Sequence, residues 1–463
     1  MIKWHLKALV LIFLSVLIAF PPLINGFILL SRAENASNAQ DASRDYESAA
    51  KFLFWRTDLY EQAGLLAAEE PQRAIRLLEM ARKIGGLTTK GQTALGDAFL
   101  ADGHPDQAIS EWTDLLTSHQ NIKDISPRLA DIYHLRQEYE KEKALLEIWL
   151  EAEPSNPGAS QRLGILMSAR ADPKALPLLL TASTSSTEKN PRLEALIAAL
   201  KLDPGNPAYR LASCGQALAN LNEWKLAEQA FGLAVSEDPQ YANAWAWLGL
   251  ARQHENTPGA LQALENAQQL DPNSAAIHAM LGTFWLQAGK PKDALLQFST
   301  STKLEPGNPA WWVARANAAS YSDLADALDS FIRAVNLAPK DAGTWYALAT
   351  FCVENNVYIE DYGLNAALRA FALDPTNPDY MDILGRAQMA TGQSAAAEVM
   401  FKRALANDQA SSRAYIFHFH LALLYLQTNQ SDQAKFELSQ TVESDPQGSY
   451  GAQAQKLIER YFP

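Results

Sequence analysis

Residues 242–272 read ANAWAWLGLARQHENTPGALQALENAQQLDP, and the spacing inside them decides the fold. Ala260, Leu264, Ala267 and Pro272 stand four, three and five residues apart. The same spacing returns as Ala227, Phe231, Ala234, Pro239, as Ala294, Phe298, Ser301, Pro306 and as Ala327, Phe331, Ala334, Pro339. These four copies stand 33 or 34 residues apart. Later ones fall at Ala397, Phe401, Ala404 and at Ala434, Leu438, Thr441, Pro446. A second signature precedes them: Leu248-Gly249, Leu281-Gly282 with Trp285, Leu384-Gly385, Leu421-Ala422 with Tyr425, and Cys214-Gly215.

Physically this is a helical hairpin. Each half places apolar residues at i, i+3, i+4 and i+7, the period of one helix face. Small residues such as Gly282, Ala294 and Ser301 let two backbones approach, and an aromatic fills the space beside them. Ala288-Gly289-Lys290 turns the chain. A residue before proline disfavours the helical region, so Asp271-Pro272 and its copies stop the second helix. One hairpin cannot bury its own apolar face, so neighbours must stack.

The run Trp245…Leu248-Gly249…Ala260…Leu264…Ala267…Pro272 and its copies resemble the tetratricopeptide repeat family, over roughly residues 55–446. That resemblance implies an all-α solenoid of helical hairpins, wound as a right-handed superhelix. It also implies a concave groove that binds a peptide or protein segment rather than catalysing a reaction.

The copies are weaker in the first half. Leu95-Gly96, Phe99, Ala108, Trp112 and Leu115 form one unit; Ala74, Leu78 and Ala81 suggest another before it. Ala130, Tyr133, Trp149 and Pro154 form a diverged third, and Leu163-Gly164 with Met167 opens a fourth. The register then breaks. Residues 173–204 read as two helices around Thr181–Asn190, which leaves an odd helix in an alternating stack. The expected domains are therefore 51–172, a repeat block; 173–206, an irregular joint; 207–446, a second repeat block; and 447–463, a capping helix. Val353–Gly363 inserts about two residues ahead of the next helix.

The N-terminus reads differently. Ala8–Leu30 is uncharged, and 23 residues reach about 35 Å as a helix, enough to cross a hydrocarbon core of ~30 Å. The expectation is a transmembrane signal anchor over 1–30, with 31–50 as a polar linker. Lys3 and Lys7 before the run favour a cytoplasmic N-terminus and extracytoplasmic repeats at the cell membrane. The alternative is secretion after cleavage near Ala33.

Composition removes several classes of function. Lys+Arg 39 against Asp+Glu 52 leaves a net charge of −13, the wrong sign for displacing counterions from nucleic acid. Two cysteines exclude a disulfide framework and a four-cysteine metal site. Among the eight histidines no H-E-x-x-H occurs, and His418 and His420 lie two apart on one helix, facing different sides. No phosphate-binding glycine loop or nucleophile elbow is present. Cys214 and Cys352 fall at buried places of the repeat. Trp245, Trp312 and Trp345 share one repeat position and read as packing, whereas Trp247 and Trp311 read as exposed recognition residues. No catalytic residue, metal or cofactor is expected.

In the resembled family the first helix of each hairpin lines the groove. Carried over residue by residue, the partner-binding candidates here are Tyr209, Gln216, Asn243, Trp247, Thr283, Asn317, Tyr346, Thr350, Asp382 and Arg386. The expected function is a membrane-tethered scaffold that holds a protein or peptide while an envelope or secretion complex assembles. The alternative is an accessory subunit of polysaccharide export or modification with a glycan-contacting surface.

Overall fold

The computed structural model describes residues 21–118, 122–185, 190–202, 205–408 and 413–462. Among them the regular structure is helical. The chain divides into two compact units, one running to residue 204 and taking 213–226, the other taking 205–212 and 227–463.

The first unit begins with α1 (21–34), α2 (Ala39–Phe52), α3 (Asp58–Leu65), α4 (Pro71–Gly85), α5 (Thr89–Ala101) and α6 (Pro105–Thr117). It continues with α7 (Ile122–Leu135), α8 (Tyr139–Ala152), α9 (Pro157–Ser168), α10 (Ala175–Ser185) and α11 (Pro191–Leu200). Helices α3–α4, α5–α6, α7–α8 and α9–α10 pack as hairpins, and α11 follows them, packed on α10. The residues of α12 (Pro207–Asn220) and α13 (Trp224–Glu237) are shared between the two units.

The second unit holds α14 (Ala242–His254), α15 (Ala260–Leu270), α16 (Ala275–Gln287), α17 (Pro291–Leu304), α18 (Pro309–Ala319) and α19 (Leu324–Leu337). After α20 (Ala342–Glu354) a π-helical turn over Ile359–Gly363 absorbs the inserted residues and leads into α21 (Leu364–Leu373). Then come α22 (Pro378–Ala390), α23 (Ser394–Asn407), α24 (Ala414–Gln427), α25 (Ser431–Ser444) and α26 (Ser449–Tyr461). Helix α26 packs on α24 and α25 through Ala454, Leu457 and Ile458, and turns Gln453, Gln455, Lys456 and Glu459 outward.

Local chemistry sets the helix boundaries. Asn308 and Asn377 accept from the backbone N–H of Ala310 and Asp379, and a proline follows each at the first helical position. An asparagine cap satisfies a donor that the helix leaves unpaired, and proline there gives up a donor that needs no partner. Inside a hairpin, Gly282 faces the Phe298 ring: an added Cβ would lie 2.8 Å from it. Gly385 meets Phe401 in the same way, at 2.7 Å. The glycine of the Leu-Gly pair is thus the seat of the aromatic on the second helix, and Phe231, Phe331 and Phe401 are fully buried.

The N-terminal expectation needs correction. Among the described residues no helix is long and apolar enough to cross a membrane. The last part of the apolar run, 21–30, belongs to α1, and α1 spends one side on packing. Leu30 is buried with Ala49, Ala50, Leu53 and Leu59, with Leu23 and Leu29 against them. Gly26 sits directly under Leu53 and Phe52. Residues 8–20 lie outside the described residues. The packing of residues 21–30 into the fold and the lack of a spanning helix among the described residues overturn the expected transmembrane helix ahead of the solenoid, and with it the single-pass placement in the cell membrane.

Candidate functional site

In the second unit each first helix also touches the next first helix: α14 with α16, α16 with α18, and so on through α24 with α26. Among the described residues no pair of successive second helices from α15 to α25 comes as close. The first helices therefore line the inner side of this unit, and their side chains form its candidate binding face.

The densest part of that face lies on α20, α22, α24 and α26. The Tyr346 ring packs on Tyr380 with centroids 5.3 Å apart. Asp382 Oδ1 lies 2.7 Å from His420 Nδ1, and both residues are buried. Arg386 Nη1 lies 3.9 Å from Glu354 Oε1, and Arg413 Nη2 donates to Asp379 Oδ2 at 3.3 Å. Tyr450 joins from α26, its ring 5.6 Å from Tyr415 and 6.2 Å from His420. Burial pushes the phenols of Tyr346, Tyr380 and Tyr450 above the ordinary range, so they act as neutral donors at physiological pH. For Tyr346 the carboxylates of Asp379 and Asp382 add to the shift. The result is a face of aromatic rings with polar tips, crossed by carboxylate–cation pairs. It can grip a polypeptide through ring contact and hydrogen bonds. Among the described residues no group of three or more His, Cys, Asp or Glu stands close enough to hold a metal ion.

Of the sequence candidates, Tyr346, Thr350, Asp382 and Arg386 belong to this patch on two neighbouring first helices. The others are spread along the fold. Tyr209 is exposed and Gln216 half-buried on α12; Asn243 and Asn317 are exposed on α14 and α18. The Thr283 hydroxyl turns back to donate to Ala279 O at 3.0 Å. Trp247 is half-buried and stacked on Phe231, with centroids 5.9 Å apart and planes 15° apart. Trp311 is half-buried and donates to Glu305 Oε2 at 2.8 Å. Trp245, Trp312 and Trp345 each donate Nε1 to the carbonyl of the proline six residues earlier, at 2.9–3.0 Å.

Sequence reasoning missed Glu354, Arg413, Tyr415, His420 and Tyr450. Glu354 stands one helical turn beyond Thr350, a spacing that could have found it. It also missed a depression of about 820 Å³ in the first unit, between α3, α5 and α7. Ala94, Ala98 and Ala101 floor it, and Arg128 Nε donates across it to Asp97 Oδ1 at 2.7 Å. Both cysteines are buried, and burial pushes the Cys352 thiol up to about 12, which leaves it unreactive.

Comparisons with known proteins agree with the hairpin fold. Residues 93–157 and 384–448 match one tetratricopeptide repeat family model and residues 251–318 match another, so the chain contains tetratricopeptide repeats. No curated protein matches. Among solved structures, yeast Tom70 is 15% identical over 96% of this chain and 95% of that one, with a TM-score of 0.41. A tetratricopeptide repeat protein from Parabacteroides merdae is 12% identical over 55% of this chain and 99% of its own, with a TM-score of 0.43. MamA is 21% identical over 35% and 95%, with a TM-score of 0.32. Likenesses at these scores carry no further argument.

Proposed function

We propose that this tetratricopeptide-repeat scaffold holds a segment of a partner protein against the inner face of its second unit. The reading rests on one observation: Tyr346, Tyr380, Asp382, Arg386, Tyr415 and Tyr450, from four consecutive first helices, form one contiguous polar–aromatic surface. Tyrosine and arginine carry binding energy well, because each combines a large contact area with a polar tip. Nothing in the patch resembles a nucleophile beside its base, so its chemistry is recognition. The tryptophans considered for glycan contact are engaged within the fold, and the glycan reading gains no support from them.

The test compares the full chain with a Tyr346→Ala, Arg386→Glu variant as immobilised bait in native extract. Both side chains are partly exposed, and circular dichroism checks that the helices persist. The expected result is at least a tenfold drop in the retained partner. Undiminished retention by the variant would overturn the reading.

A further inference from the structure

At the place where α14, α16, α20 and α22 carry Leu248, Leu281, Leu348 and Leu384, helix α18 carries Arg315. Each of those leucines is buried. The Arg315 guanidinium reaches between α17 and α19. Its Nε donates to Ser299 Oγ at 3.2 Å, and its Nη2 donates to Asp326 Oδ2 at 3.0 Å. Its Nη1 lies 2.9 Å from Asp326 Oδ1 and also donates to the Ser330 hydroxyl. Drawing two charges partly out of water has a desolvation cost that a leucine would not carry. Packing alone therefore gives no reason for the exchange.

The pair floors a depression of about 480 Å³ on the side of the second helices, away from the face described above. Arg315 and Asp326 neutralise each other. The rim then keeps two cations, Lys303 and Arg333, against one further carboxylate, Asp329. The Arg333 guanidinium rests 5.0 Å over the Trp312 ring, and that indole N–H is already committed to the Pro306 carbonyl. The local balance is thus positive in a chain whose net charge is −13. An anionic segment meets repulsion over most of such a protein and attraction here.

We propose that this depression binds the carboxylates of an acidic peptide segment, seated between Lys303 and Arg333. The planar fork of Arg333 can donate two parallel hydrogen bonds to one carboxylate, while Lys303 supplies a second, mobile charge. The cavity has room for an acidic side chain and its adjoining backbone. This contact is independent of the inner-face patch and would fix the orientation of a partner that touches both.

The experiment measures fluorescence anisotropy of labelled hexaglutamate and hexalysine with the full chain at low salt. Hexaglutamate should bind saturably, and Lys303→Gln with Arg333→Gln should weaken it at least tenfold. Both side chains are exposed, so the fold should survive. Tyr346→Ala should leave this binding unchanged, which separates a failure here from a failure of the inner-face reading. Absence of saturable binding, equal binding by the double variant, or displacement by millimolar inorganic phosphate as effectively as by free hexaglutamate would each overturn the proposal.

Discussion

The two units stack the same kind of hairpin but differ in the device that recurs between neighbours. In the first, charge links successive repeats. Arg128 pairs with Asp97 and Arg162 with Asp131, in both cases 31 residues apart; Arg136 pairs with Asp106 and Arg170 with Glu140, 30 apart. A buried knot completes the set. The Glu142 side chain, 1% exposed, receives Arg162 at 2.9 Å and His134 at 3.0 Å. In the second unit ion pairs also cross between repeats, at Arg386–Glu354 and Arg413–Asp379, but the device that recurs at one repeat position is an indole. Trp245, Trp312 and Trp345 each tie a first helix to the proline carbonyl that ends the preceding helix, and His278 Nε2 takes the same place 2.9 Å from Pro272 O. The difference teaches that one repeat geometry is compatible with two kinds of fastening. One responds to salt and pH; the other depends on packing and neutral hydrogen bonds.

The comparison breaks first if either unit lacks a packed core of its own. Trp112→Ala in the first and Phe331→Ala in the second, both fully buried, should each destabilise their own unit by about 3–5 kcal/mol. Urea unfolding followed by hydrogen exchange resolves the two. A much smaller loss for Trp112 would mean that charge, not packing, carries the first unit.

A sharper contrast comes from pH. Hydrogen bonds to Glu142 and then Glu223 push His134 up from 6.5 to about 10. The folded first unit therefore holds this proton more tightly than the unfolded chain does. The resulting stabilisation is complete below about pH 6.5 and is lost as the pH rises toward 10. The stability difference between the native chain and His134→Gln should shrink across that window in the first unit. A difference that grows with pH would reverse the sign and sink the assignment.

The smallest effects lie in the ladders themselves. Asp97→Asn removes a half-exposed ion pair and should cost about 0.2–1 kcal/mol at low salt and almost nothing at 1 M NaCl. Trp345→Phe removes one neutral hydrogen bond and should cost about 1 kcal/mol at either salt concentration. Equal salt responses in the two variants would erase the distinction.

Much of this was legible in the sequence. The Ala–Phe–Ala–Pro spacing and the Leu-Gly pair mark both helices of the later hairpins, because a close helix contact tolerates few residues at those positions. The two-residue insertion before Ala366 was visible from register alone, although its π-helical form was not: that form depends on Gly363 closing against Cys352. The N-terminal run misled because uncharged residues suit lipid and a helix interface equally well. Only the contacts of Leu30 with Ala49, Leu53 and Leu59 tell the two apart for residues 21–30. The stacking of Trp247 was not legible, since its partner Phe231 lies on a different helix. The Asp–Arg ladder did leave a signal, acid and base separated by slightly less than one repeat. Arg315 was also visible as an arginine in a leucine column, but its partners on α17 and α19 were not. The inner-face patch was half legible: the repeat register selects Tyr346, Thr350, Asp382 and Arg386, whereas His420 and Tyr450 reach it through tertiary packing.

The most direct test of the account is site-specific photocrosslinking in the native cell. A benzophenone amino acid would replace Tyr346 or Arg386 on the inner face, or Val399 or Phe436 on exposed parts of the second helices α23 and α25. The account predicts one discrete protein adduct from positions 346 and 386 and none from 399 and 436. Adducts of equal yield from all four positions, or adducts from 399 and 436 alone, would contradict it.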